Sequence, residues 1–150
     1  MLHLNETDRI RIKRAYEDRS PGDGRWILVD RLWPRGVSKA ELRDTVWMKD
    51  VAPSAQLRKW FGHKPERWEA FRARYIGELQ RNPALAALRE LVATGPVTLV
   101  YSARDEARNQ AVVLAEFLRG EAATGEHTSG ARAGKAAPPA PGPKPRGARP

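Results

Sequence analysis

The 150 residues carry a formal net charge of +9, with 41% hydrophobic side chains and no cysteine. A chain of that length and apolar content is expected to fold as one domain, and the missing thiols exclude disulfides, thiolate nucleophiles and thiolate metal sites. No run approaches the roughly 20 apolar residues of a membrane span, and the acidic start Met1 to Asp8 lacks the charged-then-apolar layout of a secretory leader, so a cytoplasmic protein is the default expectation.

Residues 1–8 read as a loose lead-in. Residues 9–16 alternate basic and apolar side chains, the pattern of a strand with one face on the core. Arg9, Arg11 and Lys13 fall on its other face, which reads as a solvated face near a sheet edge rather than a nucleic-acid stripe. Ser20-Pro21-Gly22-Asp23-Gly24 is a turn cluster. Trp26, Ile27, Leu28 and Val29 then run continuously apolar, as in a strand buried on both faces of a parallel sheet. That strand stops abruptly at Asp30-Arg31, followed by Leu32-Trp33-Pro34-Arg35-Gly36.

Ser38 and Glu41 have capping-box spacing, which predicts a short helix from Lys39 to Arg43. Residues 45–54 read as a short strand or a loop ending at Pro53. Ser54 is placed to cap a helix through Gln56, Leu57, Trp60 and Phe61, with Gly62 ending it. Pro65 suits the first turn of the next helix, where Trp68, Phe71, Tyr75 and Leu79 fall at helical spacing. Such an aromatic stripe reads as core packing rather than a stacking platform. Asn82-Pro83 opens another helix lined by Leu85, Leu88, Leu91 and Val92, closed by Gly95-Pro96. Val97 to Tyr101 is a third clear strand. A last helix is expected from an N-cap at Asp105 through Ala111, Leu114 and Leu118 to Gly120.

From Glu121 the composition changes. Six of the twelve prolines and five of the twelve glycines fall in 121–150, with no large apolar residue. Such a segment cannot offset its ordering entropy and is expected to be disordered. It carries +3 of the charge, leaving +6 on residues 1–120, enough to favour anionic partners without indicating nucleic acid. The expected organisation is therefore a lead-in over 1–8, one α/β domain over 9–120 with a mainly parallel sheet of three or four strands flanked by helices, and a basic tail over 121–150.

In open parallel sheets, ligands bind beyond the carboxyl ends of the strands. Asp30 and Arg31 leave one strand there, and Ser102, Arg104 and Asp105 leave another. With Arg35 they would form one anion-handling rim if the two strands are parallel neighbours, and a helix beginning at Asp105 would aim free N–H groups at the same place. Asp30 would orient Arg31 or act as a base, and Asp105 is the second candidate acid–base group. The extended Trp33 either covers the sheet edge or walls a pocket for a flat ligand. Lys49, Asp50, Ser54 and His63 are polar residues of the irregular middle with no spacing that brings them together. The three histidines, His3, His63 and His127, are too scattered for a metal site. Arg58-Lys59-Trp60-Phe61 mixes basic and aromatic residues, but its aromatics fit a buried helix end better than a nucleic-acid platform. No glycine-rich phosphate loop is present, and no motif names a cofactor or a reaction.

Read together, four blocks resemble the YeaO-like family of bacterial proteins. They run from Val29 to Gly36, from Trp47 to Ser54, from Leu57 to His63 and from Gly95 to Asp105, within a match over roughly residues 9–119. The resemblance implies a small bacterial α/β domain of unknown function, and Asp30-Arg31 match the family's Asp–Arg pattern after the central strand. The family often has cysteine and histidine around the exit of the third strand, where this chain has Tyr101, Ser102, Asn109 and Gln110, so a thiol-dependent activity does not carry over. Two functional readings follow. The first is an anionic or nucleotide-like small molecule bound at the rim through Arg31, Trp33, Arg35, Ser102, Arg104 and Asp105. The second, less favoured, is a basic nucleic-acid- or protein-binding module that uses the strand face and the tail.

Overall fold

The computed structural model describes residues 9–128. The proposed lead-in and residues 129–150 of the proposed tail lie outside them. Four strands form one all-parallel sheet: β1 (Ile10–Arg14), β2 (Arg25–Leu28), β3 (Val46–Trp47) and β4 (Val97–Tyr101), in the order β1-β4-β2-β3. β4 and β2 are interior, which is why all five residues of β4 are buried and why Trp26 to Val29 are at most 2% exposed. β1 is an edge strand, as its alternating pattern predicts.

The helices are α1 (Ala55–Phe61), α2 (Trp68–Gln80), α3 (Leu85–Thr94) and α4 (Gln110–Thr128). Alternate residues of the interior strands face opposite ways. Ile27, Val29, Leu99 and Tyr101 meet buried side chains from all four helices, among them Phe61, Tyr75, Leu88 and Leu114. On the other face Trp26, Leu28 and Val100 pack with Val37, Leu42 and Trp33, so the loop after β2 covers that face in place of a helix. The stripe Phe71, Tyr75 and Leu79 is buried core, with the Phe71 ring stacked 4.3 Å from Phe61. Among the described residues no helix is long and apolar enough to cross a membrane.

Three local expectations need correction. The Ser38–Glu41 capping box forms, with Ser38 N–H donating to Glu41 at 2.7 Å and Glu41 N–H to Ser38 Oγ at 3.1 Å. No helix grows from it. Successive four-residue turns run through Leu42, and Asp44 sits at φ 67°, in the left-handed region. Five residues are too few to offset helix nucleation, and Leu42 is drawn into the core instead. At the other end, α4 continues past Gly120 to Thr128, and Glu121 is joined to Arg89 by contacts of 2.9 and 2.6 Å. The third correction concerns where α4 begins. Asp105 is not its cap: its Oδ1 accepts from Ala107 N and Arg108 N, both at 3.0 Å, which closes a separate turn. Asn109 Oδ1 accepts from Val112 N at 3.1 Å and starts the helix.

Gly24 is the glycine whose position is most constrained. Arg25 N–H donates to Pro96 O at 3.0 Å, bringing two chain segments together at the amino ends of β2 and β4. A Cβ on Gly24 would stand 2.0 Å from that same Pro96 oxygen, and the residue has φ +68°.

Candidate functional site

Because β2 and β4 are adjacent and parallel, their carboxyl ends open on one rim. Asp30 leaves β2 there and is only 7% exposed. Its Oδ2 accepts from Ser102 N at 3.0 Å and Ser102 Oγ at 2.6 Å, and its Oδ1 accepts from Gln110 Nε2. Trp47 Nε1 donates to its carbonyl at 2.8 Å. One carboxylate thus ties the exits of β2 and β4 to the first residue of α4. Burial pushes its pKa up, against the pull of the Ser102 and Gln110 hydrogen bonds and of the Arg58 charge.

Asp30 does not orient Arg31. Successive residues leaving a strand point to opposite sides, and Arg31 Nη2 instead reaches Ala52 O at 3.5 Å, while its buried Nε has no partner. Neither does the expected helix start at Asp105 contribute, since the turn closed by Asp105 separates that residue from α4.

A cleft of about 400 Å³ opens over this rim. The β2 exit supplies Asp30, Arg31, Leu32, Trp33 and Arg35; the segment around α1 supplies Pro53, Arg58, Lys59, Phe61 and His63; Ser102, Asn109 and Gln110 close the third side. Trp33 packs against Trp47 of the edge strand β3 and lines the cleft. Its Nε1 donates to Val37 O at 2.6 Å, and its ring meets Trp47 edge-on at 5.3 Å. Arg58 is aimed by α1, whose cap Ser54 donates from its N and Oγ to Glu78 at 2.9 and 2.7 Å. The Nε of Arg58 is buried and, like that of Arg31, has no partner. Gly62 ends α1 in the left-handed region, and His63 follows it there at φ 58°.

The cleft carries four guanidinium or ammonium groups against one carboxylate. Ion pairs between described residues lie elsewhere, joining Arg11 and Lys13 to Asp23, Arg72 to Glu116, Arg89 to Glu121 and Arg108 to Asp105. A second hollow of about 570 Å³ adjoins the first and shares Arg35, His63, Ser102 and Ala103 with it. Arg14, Tyr16, Arg104 and Asp105 complete it. Arg14 donates to Ala103 O at 2.9 Å and Ser102 O at 3.0 Å and lies 4.7 Å over the Tyr16 ring, whose hydroxyl donates to Arg35 O.

Of the residues singled out from sequence, Asp30, Arg31, Trp33, Arg35 and Ser102 line the cleft, and Arg104 and Asp105 line the adjoining hollow. Arg58, Asn109 and Gln110 were not assigned to the site. The capping chemistry of Asn109 is a signal that could have moved the start of α4 and brought Gln110 to Asp30. His63 reaches the cleft, whereas Lys49 and Asp50 sit in a turn outside it and Ser54 serves as a cap. The basic face of β1 is not an open stripe. Asp23, 2% exposed, takes Arg11 at 3.0 Å and Lys13 at 2.9 Å, along with Trp26 Nε1 and Ser20 N.

No group of three or more metal-ligating side chains occurs among the described residues. Comparison with known proteins places the chain in a family. An uncharacterized protein of Mycobacterium tuberculosis is 49% identical over 112 residues, 75% of this chain and 95% of that protein, and one from Mycobacterium bovis is equally similar. The uncharacterized protein YeaO of Escherichia coli is 41% identical over 111 residues, 73% of this chain and 96% of its own length. No solved structure matches the chain. A family model described as the inactive DUF488-N3 subclade matches residues 9–139, and with these relatives it shows that the chain belongs to the YeaO-like DUF488 proteins.

Proposed function

We propose that the strand-end cleft binds an anionic, nucleotide-like small molecule and holds it without turning it over. The observation that carries this reading is that Arg31 and Arg58 line one cleft and neither has an ion-pair partner among the described residues. Arginine presents a planar fork suited to phosphate and carboxylate groups. Arg35 and Lys59 add charge from the exposed lip, and Leu32, Trp33 and Phe61 offer apolar surface for a flat ring.

The inactive label of the matching subclade supports binding over catalysis. The nucleic-acid module is the weaker reading, because Asp23 occupies two of the three basic groups of the β1 face.

The test is calorimetric titration of the full chain with sulfate and with adenosine monophosphate, repeated for Arg58→Met, which keeps the stem and removes the fork. Loss of one desolvated charged contact should weaken binding by at least tenfold, about 1.4 kcal/mol. A folded Arg58→Met protein with wild-type affinity for both probes would refute the reading.

A further inference from the structure

The two hollows have Arg35, His63, Ser102 and Ala103 in common, so they form one elongated depression with a deep half and a shallow half. Each half alone falls within the roughly 300–1,000 Å³ of ordinary small-molecule sites. Both halves are cationic. The deep half has Arg31, Arg58 and Lys59, the shallow half has Arg14 and Arg104, and Arg35 stands between them. The one carboxylate of the shallow half, Asp105, is already engaged by Ala107 N, Arg108 N and the Arg108 guanidinium at 3.3 Å, so it offers an incoming anion little repulsion. Arg104 is exposed and no carboxylate pairs with it among the described residues. The shallow half also has an exposed aromatic ring, Tyr16, held in place by Arg14 and by its bond to Arg35 O. At the junction, His63 is kept in the left-handed backbone region, a strained placement of the kind that persists where surrounding structure fixes it.

We propose that the ligand is a dinucleotide, two nucleotide units joined through phosphate, with one unit in the deep cleft and the second lying across Arg35 toward Tyr16 and Arg104. This rests on the cleft being an anion site and goes further by naming the ligand's length and its second anionic group. A mononucleotide would leave the Arg104 half empty. A diphosphate on one nucleoside would concentrate its charge in the deep half and not reach Arg104.

Titration of the full chain with adenosine monophosphate, adenosine diphosphate and the 5′-phosphorylated adenylate dinucleotide separates the cases. The dinucleotide should bind at least tenfold more tightly than either mononucleotide, and that ratio should fall toward one in Arg104→Ala, an exposed position whose loss does not touch the core. Equal affinity for dinucleotide and monophosphate, a matching gain from the diphosphate, or a ratio unaffected by Arg104→Ala would each overturn the extension while leaving the deep cleft standing as an anion site. Failure of all three probes while sulfate still binds would overturn the nucleotide reading and leave an anion site, and failure of sulfate as well would remove both.

Discussion

Asp30 is a negative charge at the base of a cleft that we read as anion-binding, and replacing it with asparagine tests whether charge or hydrogen bonding is its main contribution. The substitution preserves shape. The asparagine oxygen can keep both Ser102 donors, now 3.0 and 2.6 Å from Oδ2, and its amide can donate to Gln110 once that side chain turns its own oxygen inward. Stability should therefore change by less than about 1 kcal/mol. Binding should change more. An anion about 6 Å from a carboxylate feels roughly 3 kcal/mol of repulsion at an effective dielectric near 20. After screening by the neighbouring arginines, Asp30→Asn should tighten sulfate binding by about ten- to a hundredfold, or roughly 1.4–2.7 kcal/mol, read by calorimetry at pH 7.

The pH dependence gives a second readout. Burial raises the folded pKa of Asp30 despite its hydrogen bonds, so folding favours the neutral form. That contribution is complete below the unfolded value of about 3.9 and is lost as pH rises through the raised folded value. Over the same window the wild type should bind sulfate more tightly as pH falls, because protonation removes the repulsion, and the Asp30→Asn protein should lack that component. Sulfate keeps its charge throughout, so the ligand does not contribute to the difference. Unchanged or weaker sulfate binding by folded Asp30→Asn would show that Asp30 does not oppose an anion in the cleft.

Asp23 is the reverse case. Burial works against its ionisation, but hydrogen bonds from Lys13, Trp26, Ser20 and Arg11 outweigh it and hold the carboxyl well below the usual range. Its contribution is thus present above about pH 4 and lost as pH falls through the depressed folded value. Asp23→Ala should destabilise by about 3 kcal/mol in urea melts and flatten the acid limb of the stability curve; a loss under 1 kcal/mol would mean the network is replaceable. Gly24→Ala, with its Cβ 2.0 Å from Pro96 O at φ +68°, should lose at least about 2 kcal/mol, and a wild-type melting temperature would rule out the close approach of β2 and β4. His63→Gly relieves the left-handed strain at φ 58° and should change stability by no more than about 1 kcal/mol in either direction. It should at the same time weaken dinucleotide binding several-fold; a large loss of stability instead would make His63 a structural residue.

The strands, the buried aromatic stripe and the α1 cap were legible because each rests on local chemistry: a continuous apolar run, helical spacing, a serine before a helix. The rim was legible for the same reason, since Asp30, Arg31, Trp33 and Arg35 follow directly from a strand end. What failed depended on competition between equivalent local signals. Asp105 and Asn109 can each cap a helix, and the choice turns on which register lets Ala111, Leu114 and Leu118 reach the sheet. That choice sets whether Gln110 meets Asp30. Ser38 and Glu41 formed their box as the pattern requires, yet helix growth was decided by Leu42 and Val37 packing under Trp26 and Leu28. Arg58 was recognisable as basic but not as a site residue, because only the packing of α1 against α2, through Ser54 and Glu78, turns it toward a rim far away in sequence.

The hydrogen bonds of Asp30 also bear on why this site should bind rather than react. An ionised carboxylate has roughly four lone-pair positions, and Ser102 N, Ser102 Oγ and Gln110 Nε2 occupy three of them. A general base must accept a proton from a reacting group within hydrogen-bond reach, and here one of these three bonds would have to give way or the single remaining position would have to face the substrate. Ser102, for its part, donates its hydroxyl hydrogen to a carboxylate whose burial disfavours further charge at the same place, and Gln110, unlike an imidazole, cannot take up a proton. The bonds that lock the rim into shape therefore leave it poorly equipped for acid–base work, while Arg31 and Arg58 stand in the cleft without an ion-pair partner among the described residues.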